Sequence, residues 1–465
     1  MVAAPSISYS ITVRLEIASG GTAVSELTTT VEDAGGIVTA LDVSPSGADN
    51  LRIDLTCATS GTEHADRVVG SLEALEGVDV RHVSDRTFLM HLGGVIETKA
   101  KHPLRNRDDL SMIYTPGVAR ICQAIAADRE DARRLTIKRN SVAVVSDGSA
   151  VLGLGNIGAY AALPVMEGKA ALFKSFADID AWPICLDTQD VDQIVETVAA
   201  ISPGFAGINL EDISAPRCFE VEARLRERLD IPVFHDDQHG TAIVVLAALR
   251  NALLVVDKRI EDIRLVMAGA GAAGTAILKL LIEAGLSDVV VCDVGGVVHA
   301  GRGDADESLQ WIATNTNRGG LTGTLKDVLP GADVFVGVSA PNLIDGDDVA
   351  AMAGRSIVFA LANPDPEIDP VVARRHATVV ATGRSDQPNQ INNVLAFPGI
   401  FRGLLDAQSH GINSAVLLAA ADAIASTVAY DELGPNYIVP SVFHPDVHTK
   451  VAAAVRSAAS GATRR

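Results

Sequence analysis

Paired cysteines are missing from this chain. Its five cysteines, Cys57, Cys122, Cys185, Cys218 and Cys292, are scattered over 465 residues and never form a CxxC. An odd and dispersed set excludes a disulfide framework and a thiolate zinc site. Positive charge is also scarce: 38 Lys and Arg face 58 Asp and Glu, for a formal charge of -20 and a pI near 4.9. Such a field repels phosphate backbones and anionic membrane surfaces, so no nucleic-acid or membrane partner is expected. A small anionic substrate must find its cation locally. The opening MVAAPSISYSITVRLE has no basic segment leading into an apolar one, and does not read as a secretory signal. The longest strongly apolar stretch, Ala242 to Val256, is interrupted by Arg250 and Asn251 and reads as too short to span a bilayer. A cytoplasmic protein is expected.

Hydrophobic residues make up 48% and charged residues 21%, which suits a globular chain rather than a disordered or fibrous one. At ~150 residues per domain, the length suggests about three domains. Residues 11–17, ITVRLEI, and 51–57, LRIDLTC, alternate strictly, as strands covered on one face do. Ala65, Val68, Val69 and Leu72 follow helical spacing. With Gly20–Gly21, Gly35–Gly36 and the turn SPSGADN as punctuation, the order is strand, helix, strand, strand, helix, strand, ending near Phe88–Leu92.

This βαββαβ order over residues 1–92 resembles the ACT regulatory domain. The resemblance implies a small-molecule effector at a subunit interface; a ferredoxin-like dimerisation module without ligand has the same order. The basic segment 93–108 reads as a linker into an α/β domain over 93–240.

From about 260, short apolar strands alternate with helices: Arg264–Ala268, Asp288–Asp293, Asp333–Ser339, Ser356–Leu361 and Thr378–Thr382. Unalternating runs suit strands buried on both faces, hence a doubly wound parallel sheet (a Rossmann domain) over 241–400. Gly269-Ala-Gly271-Ala272-Ala273-Gly274 follows the first strand and opens a helix, and Asp293 ends the next strand nineteen residues on. That is the context of a dinucleotide site, with glycines at the pyrophosphate and an acid at the ribose. A carboxylate there favours NAD, with NADP possible; no arginine adjoins it, the nearest downstream being Arg302. A second GxGxxG, at Gly153, Gly155 and Gly158, lacks the following strand and acid and reads as close packing. The Ala-rich tail, 401–465, reads as helices returning onto the substrate domain.

Two acidic pairs, Glu211–Asp212 and Asp236–Asp237, each end an apolar stretch. Singly they read as solvated turns; converging in one cleft they need a hard cation, for which Mg²⁺ or Mn²⁺ fits. His235 and His239 have HxxxH spacing, but Gly240 follows at once and no third ligand is evident, so packing or capping is the better reading. Tyr114 precedes a Thr-Pro-Gly turn that can hold a phenol rigidly at a cleft. Lys169 lies in an apolar stretch where desolvation lowers a lysine pKa. Asn363 follows a strand at the ligand-binding edge of the sheet, and Asn392–Asn393 precede an apolar turn.

The segments YTPGVA (114–119), GLGNIG (153–158), EGKAAL (167–172), NLED (209–212), HDDQHGTA (235–242), GAGAAG (269–274), ALANP (360–364) and NQINNVLAFPG (389–399) occur in an order that resembles the malic enzymes, in their compact bacterial form. The resemblance covers about 95–460. It implies oxidative decarboxylation of (S)-malate to pyruvate, with Tyr114 as general acid, Lys169 as general base assisted by Asp236, and Glu211, Asp212 and Asp237 as metal ligands. Asn363 and Asn393 match positions lining the malate and nicotinamide pocket. At least a homodimer is implied. Larger members carry an arginine in a DGxR segment, where this chain has Ala150; Arg384 is the candidate cation in its place. Another ACT-linked hydroxy- or amino-acid dehydrogenase would not need the carboxylate pairs, and a non-catalytic nucleotide sensor would need neither Tyr114 nor Lys169.

Overall fold

A computed structural model describes residues 5–18, 23–46, 50–151, 153–303 and 307–462. The expected turn at Gly20–Gly21 and the tip of SPSGADN at 47–49 lie outside the described residues. The chain divides into two compact units, Met1–Lys99 and Ala100–Arg465.

The first unit runs β1 (Ser6–Ala18), α1 (Val24–Asp33), β2 (Ile37–Pro45), β3 (Asn50–Thr59), α2 (Thr62–Glu73) and β4 (Val78–Asp85). The sheet order is β2-β3-β1-β4, with all neighbours antiparallel. Ile11, Val13, Leu15 and Ile17 share one face with Ile53, Leu55 and Cys57, and close on Leu27, Val31, Val68 and Leu72 of the two helices. That single covered face is why the strands alternate in polarity. The expected final strand residues around Phe88 are instead helical, in α3 (Arg86–His91). The Asp85 carboxylate accepts from the Thr87 and Phe88 amides, and this cap turns the strand into a helix.

The second unit opens with α4 (Arg107–Ile113), α5 (Val118–Ala127) and α6 (Asp131–Leu135), none of which has a buried residue. Next come β5 (Ser141–Ser146), α7 (Gly158–Ala177), β6 (Asp180–Cys185), α8 (Val191–Ile201), β7 (Gly207–Leu210), α9 (Arg217–Arg228) and β8 (Val233–His235). The strands form a parallel sheet ordered β6-β5-β7-β8. With β7 and β8 only four and three residues long, periodicity has too little chain to register.

A helix, α10 (Thr241–Val256), then crosses the core with twelve of its sixteen residues buried. Joined to the turn Asp236–Gly240 it makes 21 residues, apolar and long enough to cross a membrane, yet it is 72% buried within the protein. The expectation that this stretch is too short is therefore corrected: what marks it as a core helix is its burial, not its length.

The second sheet contains β9 (Arg264–Ala268), α11 (Ala272–Glu283) packed beside α10, β10 (Asp288–Asp293), β11 (Gly296–Val297), β12 (Val334–Gly337), β13 (Ile357–Ala360) and β14 (Val379–Thr382). Its order, β11-β10-β9-β12-β13-β14, is that of a doubly wound sheet, parallel except for the short β11. Helices Phe397–Ala407, Ser414–Ala425 and Val447–Ala462 complete the unit. Phe173 of α7 meets Phe397 and Phe401 edge-on at 4.7 and 5.3 Å, and Phe176 lies 4.5 Å from the His448 ring. These rings tie the tail to α7, the helix between β5 and β6.

Candidate active site

The acidic residues stand just past the ends of β7 and β8, two neighbouring parallel strands, so their loops emerge at one edge. Glu211, Asp212 and Asp237 each offer a carboxylate oxygen, and these oxygens lie within 4.8 Å of one another. Asn209 Nδ2 donates to Glu211 Oε2 at 2.9 Å, and the Asp212 amide donates to Asp237 Oδ2 at 2.8 Å. Asp212 adopts a left-handed φ of 53°, which directs its carbonyl to the Ala150 amide at 3.0 Å. Its own Oδ2 is buried without a partner.

Burial pushes the Glu211 carboxyl well above the usual range; the charges of Asp237, Asp236 and Asp212 push the same way, against Lys169. Asp212 is pushed up to about 7, by burial first and the Asp237 charge second. Carboxylates gathered at this cost, one of them with an orphaned oxygen, fit a hard divalent cation. Among the described residues this is the one group of three or more acidic, histidine or cysteine side chains with that geometry.

Lys169 projects from α7 into the same cluster with its side chain 10% exposed. Nζ donates to Asp236 Oδ2 at 2.6 Å, lies 2.8 Å from Glu211 Oε1, and sits 4.3 Å above the Phe397 ring. The expected fall in its pKa is corrected. Burial does act downward, but the charges of Asp236 and Glu211 outweigh it and raise the ammonium pKa. Asn393 Nδ2 donates to Asp236 Oδ2 at 3.2 Å, which joins the amide-rich turn to the lysine's counter-ion.

The two histidines do not form a zinc pair. His239 Nε2 meets the buried Glu222 at 2.8 Å, whereas His235 is buried with neither ring nitrogen hydrogen-bonded. Burial lowers the His235 pKa and keeps the ring neutral.

The GAGAAG loop shows what each glycine is for. A Cβ on Gly269, at φ +117°, would lie 2.8 Å from the Val338 carbonyl, and one on Gly274 would lie 2.0 Å from the Gly269 carbonyl. Gly271 faces open space, where a pyrophosphate can approach the backbone. Ala272 and Ala273 open α11 directly behind it, and their amides point toward the loop. A cleft of about 340 Å³ is lined by Gly269, Gly271, Asp293, Val294, Leu309 and Val338, among others. In the other glycine motif, a Cβ on Gly153 would press on Pro364 at 3.1 Å and Gly158 backs closely onto Gly148, whereas Gly155 faces open space. This motif abuts the turn that carries Asn363, whose Nδ2 donates to the Leu361 carbonyl at 3.2 Å.

Three expectations need correction. Tyr114 is not held at the cleft: it is 67% exposed, and among the described residues its phenol makes no hydrogen bond. The cause is that α4 and α5, which flank it, bury no residue. Arg384 is not a waiting cation, because it donates to both Asp386 oxygens at 2.8 Å. Asp293 does have an arginine beside it: Arg302 NH1 and NH2 each donate to its carboxylate at 2.8 Å. The sequence reading also passed over Glu367, whose buried carboxylate accepts from the Ser339 and Ala362 amides and links the loops after β12 and β13. An acid closing the ANPDPE run was its only signal.

A doubly wound sheet with this glycine loop, beside a second parallel sheet bearing clustered carboxylates and a buried lysine, defines a dinucleotide-binding α/β protein. Two family descriptions match the chain: malic enzyme, N-terminal domain, over 93–226, and malic enzyme, NAD binding domain, over 238–460. It is 55% identical over 451 residues to the NAD-dependent malic enzyme of Geobacillus stearothermophilus, covering 97% of this chain and 94% of that one. It is 54% identical to the bifunctional malic/malolactic enzyme of Bacillus subtilis (strain 168) over 79% of this chain and 90% of that one. The crystal structure of the NAD-dependent malic enzyme from Thermotoga maritima is similar with a TM-score of 0.78 at 48% identity, covering 81% of this chain and 99% of that one. The chain belongs to the malic enzyme family.

Proposed function

We infer that the protein oxidatively decarboxylates (S)-malate to pyruvate and CO₂, with NAD or NADP as hydride acceptor and Mg²⁺ or Mn²⁺ held by Glu211, Asp212 and Asp237. The observation that carries this reading is the approach of a buried lysine to that carboxylate cluster, at 2.8 Å from Glu211. When bound, the ion supplies Lewis acidity at the substrate hydroxyl and the dinucleotide supplies a hydride acceptor.

Lys169 Nζ takes the C2 hydroxyl proton as hydride departs from C2, and Asp236 stabilises the resulting ammonium. Lys169 must start neutral. A cation held by Glu211 would weaken that carboxylate's hold on the Lys169 ammonium and favour the neutral amine. Breakage of the C3–C4 bond then releases CO₂ and leaves the enol of pyruvate, which Tyr114 protonates at C3. Asn363 and Asn393 orient malate and the nicotinamide.

Tyr114 needs a cover to work in a dry site. Leu110, Met112, Ile113 and Ile121 are exposed around it, which supports a homodimer closing over α4 and α5. Residues 1–92, within the first unit, are assigned as an ACT-like regulatory domain that takes a small effector; the sheet order supports this. The remaining segments are a substrate domain (93–240), a nucleotide domain (241–400) and a C-terminal helical part (401–465). Five unpaired cysteines support a cytoplasmic location.

The test is absorbance of reduced nicotinamide on adding malate and Mn²⁺, with NAD and NADP in parallel and with EDTA as control. A malate-dependent rise abolished by EDTA is expected. No rise with either coenzyme would sink the reading, and a rise that survives EDTA would point to a metal-free dehydrogenase.

A further inference from the structure

We propose that Glu367 is a positioning residue of the reaction: its buried carboxylate fastens the loops after β12 and β13 to each other and thereby sets Asn363 in the pocket for malate and the nicotinamide. The inference rests on the function proposed above and names what holds that pocket in shape.

Glu367 is fully buried in the loop that follows β13, and no step of the reaction uses it. Its Oε1 accepts from the Ser339 amide at 3.0 Å, in the loop after the neighbouring strand β12, and its Oε2 accepts from the Ala362 amide at 3.1 Å. The backbone closes the same seam. The Asn342 amide donates to the Pro366 carbonyl at 3.1 Å, and the Ile344 amide to the Glu367 carbonyl at 3.2 Å. Gly337, the last residue of β12, leaves the room: a Cβ there would lie 2.4 Å from Glu367 Cδ. Burial pushes the carboxyl above its usual range, against the pull of the Ser339 and Ala362 amides, so the acid is held here at a cost.

Two amides need two acceptors. A carboxylate offers both oxygens with no hydrogen in the way, whereas a glutamine offers one oxygen and turns its NH2 against the other amide. Ala362 directly precedes Asn363, and Asn363 has little slack, since a Cβ on Gly383 would stand 2.9 Å from its Nδ2. A shift at Ala362 therefore moves Asn363. The adenosine end of the cleft has its own support, because the Val338 amide donates to the Ala268 carbonyl at 2.9 Å beside the glycine loop.

The full-length protein is tested as Glu367→Gln, Asn363→Ala and the two together. The readouts are kcat and KM for malate, with Mn²⁺ and the coenzyme that wild type reduces, and calorimetric binding of 5′-AMP, a probe of the adenosine end. Glu367→Gln is expected to lower kcat/KM for malate by about tenfold or more, with 5′-AMP bound as in wild type. In the Asn363→Ala background the same change should cost less than about twofold, because its route of action is gone. Without any variant, hydrogen exchange at the Ser339 and Ala362 amides of wild type should be slow.

Fast exchange at either amide overturns the proposal, as does a full loss from Glu367→Gln in both backgrounds or no loss in either. A Glu367→Gln variant that also loses 5′-AMP binding overturns it too, since the substitution then loosens the whole nucleotide domain. Wild type that reduces neither coenzyme with malate fails the earlier reading before any variant is made, and takes this inference with it.

Discussion

Lys169 shows how far a single residue's chemistry depends on its neighbours. Its apolar sequence surroundings forecast burial correctly and the direction of its pKa shift wrongly, because the deciding partner, Asp236, is 67 residues away. Burial and ion pairing have opposite signs for a lysine, and two carboxylates at hydrogen-bond distance exceed the desolvation cost. If Lys169 moves the hydroxyl proton, Lys169→Ala should lower kcat by ~10²–10⁴-fold. Binding of reduced coenzyme, followed by its fluorescence, should be unchanged; near-normal turnover would remove Lys169 from the mechanism. The pairing of Arg302 with Asp293, nine residues before it, was missed because it depends on how the chain turns back after β11. The two acidic pairs were legible as acids at the ends of apolar runs, but their convergence depends on β7 lying beside β8.

At the scale of elements, the turn Asp236–Gly240 carries the acids and is held from behind by α9. Glu222 of α9 accepts from His239, and Arg226 lies 2.8 Å away. Gly240 is needed for space, since a Cβ would lie 2.0 Å from Asp236 Oδ1. Burial alone would push the Glu222 carboxyl up, but the charge and hydrogen bond of His239 and the charge of Arg226 overcome it and hold the group at about 2. An unfolded glutamate titrates near ~4.3, so the depressed folded value stabilises the protein above that pH and is lost as pH falls toward the folded value. The contribution is of order 2–3 kcal/mol. Urea titrations between neutral and strongly acidic pH should show wild type more stable than Glu222→Gln at pH 7, with the gap closing in the acid range. A gap independent of pH would mean that Glu222 acts through packing alone.

At the scale of the whole molecule, the carboxylate cluster ties stability to cation binding. Glu211, Asp212 and Asp237 are assembled at an electrostatic cost that folding must offset, a cost that a divalent cation held by them would relieve. At a hundredfold excess over Kd, a ligand specific to the folded state adds about 2.7 kcal/mol. The thermal midpoint should therefore rise with Mn²⁺ in wild type. Asp212→Asn, compatible with the left-handed backbone there, should be as stable as wild type or more so without metal, and should not respond to it. A variant that melts earlier in both conditions would assign Asp212 a structural role instead.

Much of the architecture follows from order along the chain. Strand polarity in β1 and β3, the unbroken apolar runs of β9, β10 and β12–β14, and the glycine loop at 269–274 all reflect constraints that act over a few residues: which face is covered, whether a Cβ fits, where a helix can begin. The order of the parallel sheet β6-β5-β7-β8 was not legible, because β7 and β8 are only four and three residues long and strand order is set by packing rather than by local sequence. Three-dimensional packing alone settled the raised lysine, the arginine paired with Asp293 and the exposure of Tyr114. Electrostatics and burial depend on distance in space, and space brings together residues that the chain keeps tens of positions apart.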